Sequence, residues 1–332
     1  NAPQLNLSYP SNLETNQIID ITQKCEKHAF DYDERIRNSE GSSFSCSNTN
    51  ALILNSKGAH GIMQGTTYSL SCIILAEEGK YKERDYEYSA TRDFKKLDSP
   101  EKIGNHAAEK AIARLGAKTI KTRVCPVLFS PEMSASIFND FLSAITGPAI
   151  YKRASFLLDQ IGKSIFSNFI NIREEPHLKD GMGSSPYDGE GVLTRKKNIV
   201  AAGELKSYLL DTYSAKKLNS VSTSNKALIT NIIIDSEKEK TPNIISTIED
   251  GIYITEMMGS GVNILTGDYS RGAFGYLIKD GEIKHPVNEI TVASNLKNMF
   301  KNIIGLGDDI DRRSNINTGS VLIKDITIGG AN

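Results

Sequence analysis

The chemistry open to this chain depends on which titratable side chains its spacing brings together. The best carboxylate pair is Asp188 and Glu190 in the run YDGEG, two acids one residue apart between glycines. Such a pair suits general acid–base work, and it suits equally a tight turn in which the aspartate caps backbone amides. The histidines offer less. His106 and Glu109 lie one helical turn apart, as do Cys25 and His28, but without further converging donors these read as solvated or capping pairs. His177 and His285 each adjoin a proline and read as loop anchors with peptide contact as the alternative; His60 follows a turn and carries no signal. Ser184, Ser185 and Ser270 have no identifiable His–Asp partners, and no G-x-S-x-G elbow is present. GMGSSP lacks the strand-to-helix grammar of a phosphate loop.

A different chemistry, capture of an extended peptide, needs only backbone and close approach. Gly251 to Glu289 reads as an apolar strand, a corner holding Gly259, Gly261 and Gly267, and a hairpin turning at Asp280-Gly281. A peptide adds to a sheet edge through main-chain hydrogen bonds, and glycines let it come near. Arg271 is at hand for a carboxylate or carbonyl. The candidate peptide contacts are Gly259, Gly261, Asn263, Asp268, Tyr269, Ser270 and Arg271, with Asp188, Glu190 and His285. The bland alternative is that the glycines only permit tight corners.

The elements that must position these residues fall into two blocks. Ser11 to Ala29 has a helical stripe with a capping-box spacing at Ser11 and Glu14, and Arg35 to Tyr88 reads as an antiparallel meander punctuated by Asn55-Ser56-Lys57-Gly58. Ser99 and Pro100 start a helix that stops at Gly116. A polar linker with Lys118, Lys121 and Arg123 precedes the buried strand CPVLF, which places a boundary there: residues 1–122 form one domain and 123–332 another. Ser130 and Pro131 open a strongly apolar helix ending at Gly147-Pro148, and Ala149 to Asp159 is expected to be helical again. Strands are expected at Phe169–Arg173, on both sides of Ala202-Gly203, at Asn231–Asp235 and at Val321–Ile328, with helices at Thr241–Glu249 and Leu296–Ile304. Helices and hairpins come in blocks without strict alternation, so the class is α+β. The expectation is a helix plus antiparallel meander followed by a mixed, barrel-like sheet with flanking helices.

Composition narrows the partners. The 332 residues carry 39 basic and 40 acidic side chains, a net charge of -1 that argues against direct nucleic-acid binding. No apolar run is long enough to span a bilayer, and the first ten residues do not resemble a secretory signal. Four widely spaced cysteines without a CxxC pair suit reduced thiols, hence a cytoplasmic protein. The first residue is Asn rather than Met, which suggests a trimmed chain. The apolar helix at 130–146 exceeds what a monomer needs to cover, so a dimer is expected.

A family resemblance is carried by several long motifs in one order: EPHL (Glu175–Leu178), SSPYDGEGVLTRK (Ser184–Lys196), LLDTYSAKKL (Leu209–Leu218), GVNILTGDYSRGAFGYLIKDGEIKHPVNEIT and the closing DITIGGAN. Together they are similar to the PmbA/TldE branch of the TldD/PmbA family. The resemblance covers the second domain almost end to end and the first more loosely. It implies a cytoplasmic peptidase system in which the TldD branch holds zinc through an HExxxH helix and a C-terminal cysteine. The PmbA/TldE branch pairs with it, and the heterodimer cleaves small or unfolded peptides; the family is also named for modulating DNA gyrase and begins with a further N-terminal portion. Laid on that pattern, the histidine positions fall on Asn139 and Ala144 and the glutamate on Asp140, and no cysteine follows Cys125. Asn and Ala do not supply zinc donors. The expectation is therefore a subunit with no metal or cofactor of its own, zinc being held by a TldD-like partner. Two alternatives stand beside it: a homodimeric hydrolase using Asp188, Glu190 or Asp140, and a non-enzymatic adaptor.

Overall fold

The computed structural model describes residues 3–56, 58 and 60–331; Lys57 of the first turn and Asn332 of the closing motif lie outside the described residues.

Helix α1 (Thr15–Tyr32) starts one turn later than its periodicity suggests. Its N-cap is Glu14, reciprocally bonded with Gln17, so the capping box is Glu14/Gln17 and not Ser11/Glu14. The Ser11 hydroxyl instead donates to the Tyr68 hydroxyl at 2.9 Å. The meander has three long strands, β1 (Ile36–Leu54), β2 (His60–Glu78) and β3 (Tyr81–Thr91), in that order. Strand β1 is a single strand of 19 residues, bulged between Ser39 and Gly41. On β2 Tyr68, Leu70, Cys72, Ile74 and Ala76 alternate inward and are fully buried. Helix α2 (Pro100–Ala113) is capped by the Ser99 hydroxyl, which accepts from the Lys102 amide at 3.2 Å. It crosses α1 at Gly104, where a Cβ would lie 2.2 Å from the Cys25 carbonyl oxygen. Alanines and small residues on both helices and the inner face of β2 make the first apolar cluster.

The second block begins with β4 (Arg123–Phe129), α3 (Pro131–Ala144) and the short α4 (Gly147–Tyr151). The helix expected over 149–159 ends at once, because Arg153 and Asp159 take left-handed backbone (φ 56° and 58°). A layer of short elements follows: β5 (Asn171–Glu174), β6 (Lys197–Ala201), β7 (Glu204–Leu205), α5 (Thr212–Lys217), β8 (Ile232–Asp235) and α6 (Thr241–Ser246). Then come β9 (Asp250–Met258), β10 (Asp268–Lys279), β11 (Glu282–Asn295), α7 (Leu296–Lys301), β12 (Ile303–Leu306), β13 (Ile316–Asn317) and β14 (Val321–Gly329). Helix α7 is shorter than expected because Ile303 already pairs with Ile323 of β14.

Strands run β11-β10-β9-β4-β14, and β11 pairs again with β14 through Thr291–Ala293 and Thr327–Gly329, closing a five-stranded barrel. The β4–β9 pair is parallel and the rest antiparallel. The β10–β11 turn has Asp280 at φ 53° and Gly281 at φ 75°, the paired positive angles of a two-residue hairpin. Helix α3 packs against the barrel with Met133, Ile137, Phe138, Phe141, Leu142 and Ala144 buried. Its stripe is covered within the chain, so it gives no argument for a dimer. The rings of Phe141, Phe156 and Phe166 all meet Phe300, with centroids 5.8, 6.2 and 4.5 Å away.

Phe300 is the shared member of that cluster and is fully buried. Phe300→Ala is expected to lower unfolding free energy by about 3–5 kcal/mol, measured by urea denaturation.

Candidate functional site

Helix α3 carries the three positions laid on the metal motif, and its geometry separates them. Asn139 is exposed, while Ala144 is wholly buried behind the Ser155 hydroxyl, which donates to its carbonyl at 2.6 Å. Five residues of α-helix rotate a side chain by about 140°, so the two positions face different surroundings. Among the described residues no three His, Cys, Asp or Glu side chains form a metal-binding group.

Asp140 is half-buried and beside Arg271 of β10. Its Oδ2 is out of solvent and has no partner among the described residues, as has Arg271 Nε. Arg271 Nη1 donates to Ser136 Oγ at 3.0 Å and Nη2 to the Met257 carbonyl at 3.2 Å. Burial raises the Asp140 carboxyl to about 6, partly offset by the Arg271 charge. Tyr269, next along β10, is buried, donates to Met257 Sδ at 2.7 Å, and has its phenol pushed well above the usual range by burial.

The glycine corner folds back on its own chain. A Cβ at Gly261 would lie 1.6 Å from the Ser270 carbonyl oxygen, and the Ser270 amide donates to the Gly261 carbonyl at 2.7 Å. Asn263 Oδ1 accepts from the Leu265 amide at 2.9 Å, and Asp268 is bonded by Thr266 and Asn295. Gly259 turns with φ 76°. The glycine that a close approach requires is therefore met by this chain's own strand. His285 sits seven residues along β11 from Val292, the partner of Arg271, roughly 20 Å away at strand rise.

Asp188 is buried with both oxygens engaged. Oδ1 accepts from the Glu190 and Val192 amides at 2.9 and 3.0 Å, and Oδ2 from the Lys226 amide at 3.1 Å. Glu190 Oε2 accepts from the Thr212 amide at 3.0 Å. The pair holds a turn against α5. Neither acid has a hydrogen bond or ion pair to the Asp140–Arg271 group among the described residues.

A further concavity lies elsewhere. A cleft of about 770 Å³ opens between α2, β3, the start of α3, β9 and the segment Asp309–Arg313. Arg313 spans it, donating to Glu87 at 2.7 Å, the Tyr88 carbonyl at 3.0 Å and Asp311 at 2.8 Å, with its guanidinium 4.0 Å from the Tyr88 ring centroid. Tyr86 donates to Glu132 at the first turn of α3, and burial raises the Tyr88 phenol to about 12. In the sequence Ser130 and Pro131 mark only a helix start, and Asp309–Arg313 carries no motif. The dipeptide Arg312-Arg313 inside an acidic run was the one available signal.

These elements match known proteins throughout. Residues 122–330 match the family model described as the PmbA/TldA metallopeptidase C-terminal domain, and residues 8–115 match the corresponding central domain. The chain belongs to the PmbA/TldD metallopeptidase family. It is 42% identical over 316 residues to a metalloprotease PmbA homologue of Buchnera aphidicola, covering 95% of this chain and 70% of that one. A DNA gyrase modulator structure from Bacteroides thetaiotaomicron superposes with TM-score 0.94 at 28% identity, covering all of this chain and 76% of that chain. TldE of Thermococcus kodakarensis shares the fold, with TM-score 0.84 at 22% identity over 99% of this chain and 79% of that chain. The α+β barrel is thus the fold of the PmbA/TldD family.

The raised Asp140 pKa has a definite sign. The folded carboxyl holds its proton up to about 6 against 3.8 when unfolded, so between those values the native state binds more protons and stability falls as pH rises. Asp140→Asn is expected to stabilise the chain at pH 7 by roughly 1 kcal/mol, discounted for partial exposure. The gain should vanish near pH 4, and melting curves at both pH values check it.

Proposed function

We propose that this chain is the PmbA/TldE-type subunit of a cytoplasmic, TldD/TldE-like peptidase, divided near residue 122 into two domains. Zinc is held by a TldD-like partner, and this chain supplies cavity wall and contacts for small or unfolded peptides. The observation that carries the reading is the state of α3. Ala144 offers no donor and lies in the core, and Asn139, exposed to solvent, is not a zinc donor either. The residues present do not fit the family's zinc. The PmbA relative supports the branch, and the TldE structure supports the fold a TldD-pairing subunit would need. Among the described residues no helix is long and apolar enough to cross a membrane.

A second reading is that the chain hydrolyses peptides alone with Asp140 as base. It draws on the raised pKa and free Oδ2 of that residue. Burial of that oxygen out of solvent weighs against it.

The test is co-purification with the host's TldD-like protein and metal analysis of each separated chain. Roughly one zinc per partner chain and far less on this one is expected, with peptide cleavage needing both. Stoichiometric zinc on this chain, with activity lost on chelation and no partner present, overturns the proposal.

A further inference from the structure

The cleft between α2 and the start of α3 has an uneven hydrogen-bond inventory. Every carboxylate lining it is already engaged. Glu87 and Asp311 accept from Arg313, Glu132 from Tyr86, Asp98 from Lys102 at 2.7 Å, and Asp309 from the Ser320 amide and hydroxyl at 2.8 and 2.6 Å. The donors are not. Ser130, only 8% exposed, makes no side-chain cap bond and its hydroxyl has no partner among the described residues, although it lines the cleft. The amides of Glu132 and Met133 are likewise unpaired, at the N-terminus of a helix of 14 residues. The Thr255 hydroxyl on β9 and the exposed guanidinium of Arg312 also line the cleft and have no partner among the described residues. The hydroxyl of a mostly buried serine, two helix-end amides, a second hydroxyl and a cation thus open on one space, and all can donate.

A space whose free groups are donors takes a ligand that accepts. The helix end favours negative charge there, and Arg312 adds a charge-assisted bond at the rim. The acids nearby do not veto an anion, because Arg313 ties Glu87 and Asp311 and lies 3.7 Å from Glu132. The volume, about 770 Å³, holds far more than a lone ion, in the range of small-molecule sites. The Tyr253 and Ile103 side chains give part of the wall an apolar surface.

We propose that this cleft is a carboxylate-binding site that holds the free C-terminus of a short peptide. The carboxylate is received by the Ser130 hydroxyl and the Glu132 and Met133 amides, with Arg312 closing over it. The assignment rests on the reading of the chain as a peptide-handling subunit and says which end of the peptide it holds.

The experiment is fluorescence anisotropy on the full chain with one unstructured hexapeptide, labelled at its N-terminus, as free acid and as C-terminal carboxamide. The acid is expected to bind about tenfold tighter, the worth of a charge-assisted contact. Arg312→Gln and Ser130→Ala are each expected to cut that preference to about twofold or less, each variant's carboxamide affinity serving as its reference. Arg312 is exposed, so its variant tests the site without a folding cost; a melting curve accompanies Ser130→Ala. Equal binding of acid and carboxamide overturns the proposal, as does a preference that survives both variants. Acetate or inorganic phosphate binding without any acid preference also overturns it, marking a small-anion site. Failure of both peptide forms to bind overturns it as well. The subunit reading stands or falls separately, on where the zinc is found.

Discussion

Closure of the barrel by the β11–β14 pair is the constraint on which the rest depends. Three residues on each strand complete the ring, Thr291–Ala293 against Thr327–Gly329. Closure leaves no free edge among the five strands and makes their inner side chains a single core. It also fixes the ends of β4 and β9 side by side, since these strands are parallel. Helix α3 starts directly from β4, tied by the Ser130 amide to the Ile254 carbonyl at 2.9 Å. The helix end, β9 and the segment before β14 therefore meet at one rim.

Two arginines then join the meander to that rim. Arg114, buried after α2, donates to Glu256 of β9 at 2.6 Å and to Asp85 of β3 at 3.2 Å, with its guanidinium 3.8 Å from the Phe274 ring centroid. Arg313 does the same from the other side, reaching Glu87 and Tyr88 of β3. Buried ion pairs add little net stability over apolar packing, but removing one partner strands a charge. Their consequence here is geometric, because they join the meander to the barrel, and Arg313 also occupies two of the cleft's acids, Glu87 and Asp311. What is left free is a set of donors.

Much of the fold was legible from the residues. The Asp280-Gly281 hairpin, the Ser99-Pro100 helix start and the alternation of β2 are local effects, each decided within a few residues, and each is present. Misreadings came where a local signal competed with a distant one. Ser11 has a capping spacing but bonds Tyr68, 57 residues away, so Glu14 caps instead. Ala149 to Asp159 has helical composition, yet Phe156 is drawn into the ring cluster and its amide bonds the Ile264 carbonyl at 2.9 Å. The glycine corner looked open to a ligand because sequence shows that an approach is needed and not what approaches; at Gly261 it is Ser270.

By itself the sequence determined the family, the α+β class and the presence of Asn and Ala at positions 139 and 144, since these are matters of residue identity and short-range order. Only the tertiary structure decided which side chains share a space. Asp188 became a turn cap, the apolar stripe of α3 was covered within the chain, and Ser130, Thr255 and Arg312, from three separate parts of the chain, came to one cleft. The reason is physical: a residue's type fixes which bonds it can make, but whether a bond is already made depends on neighbours that chain closure brings from far away.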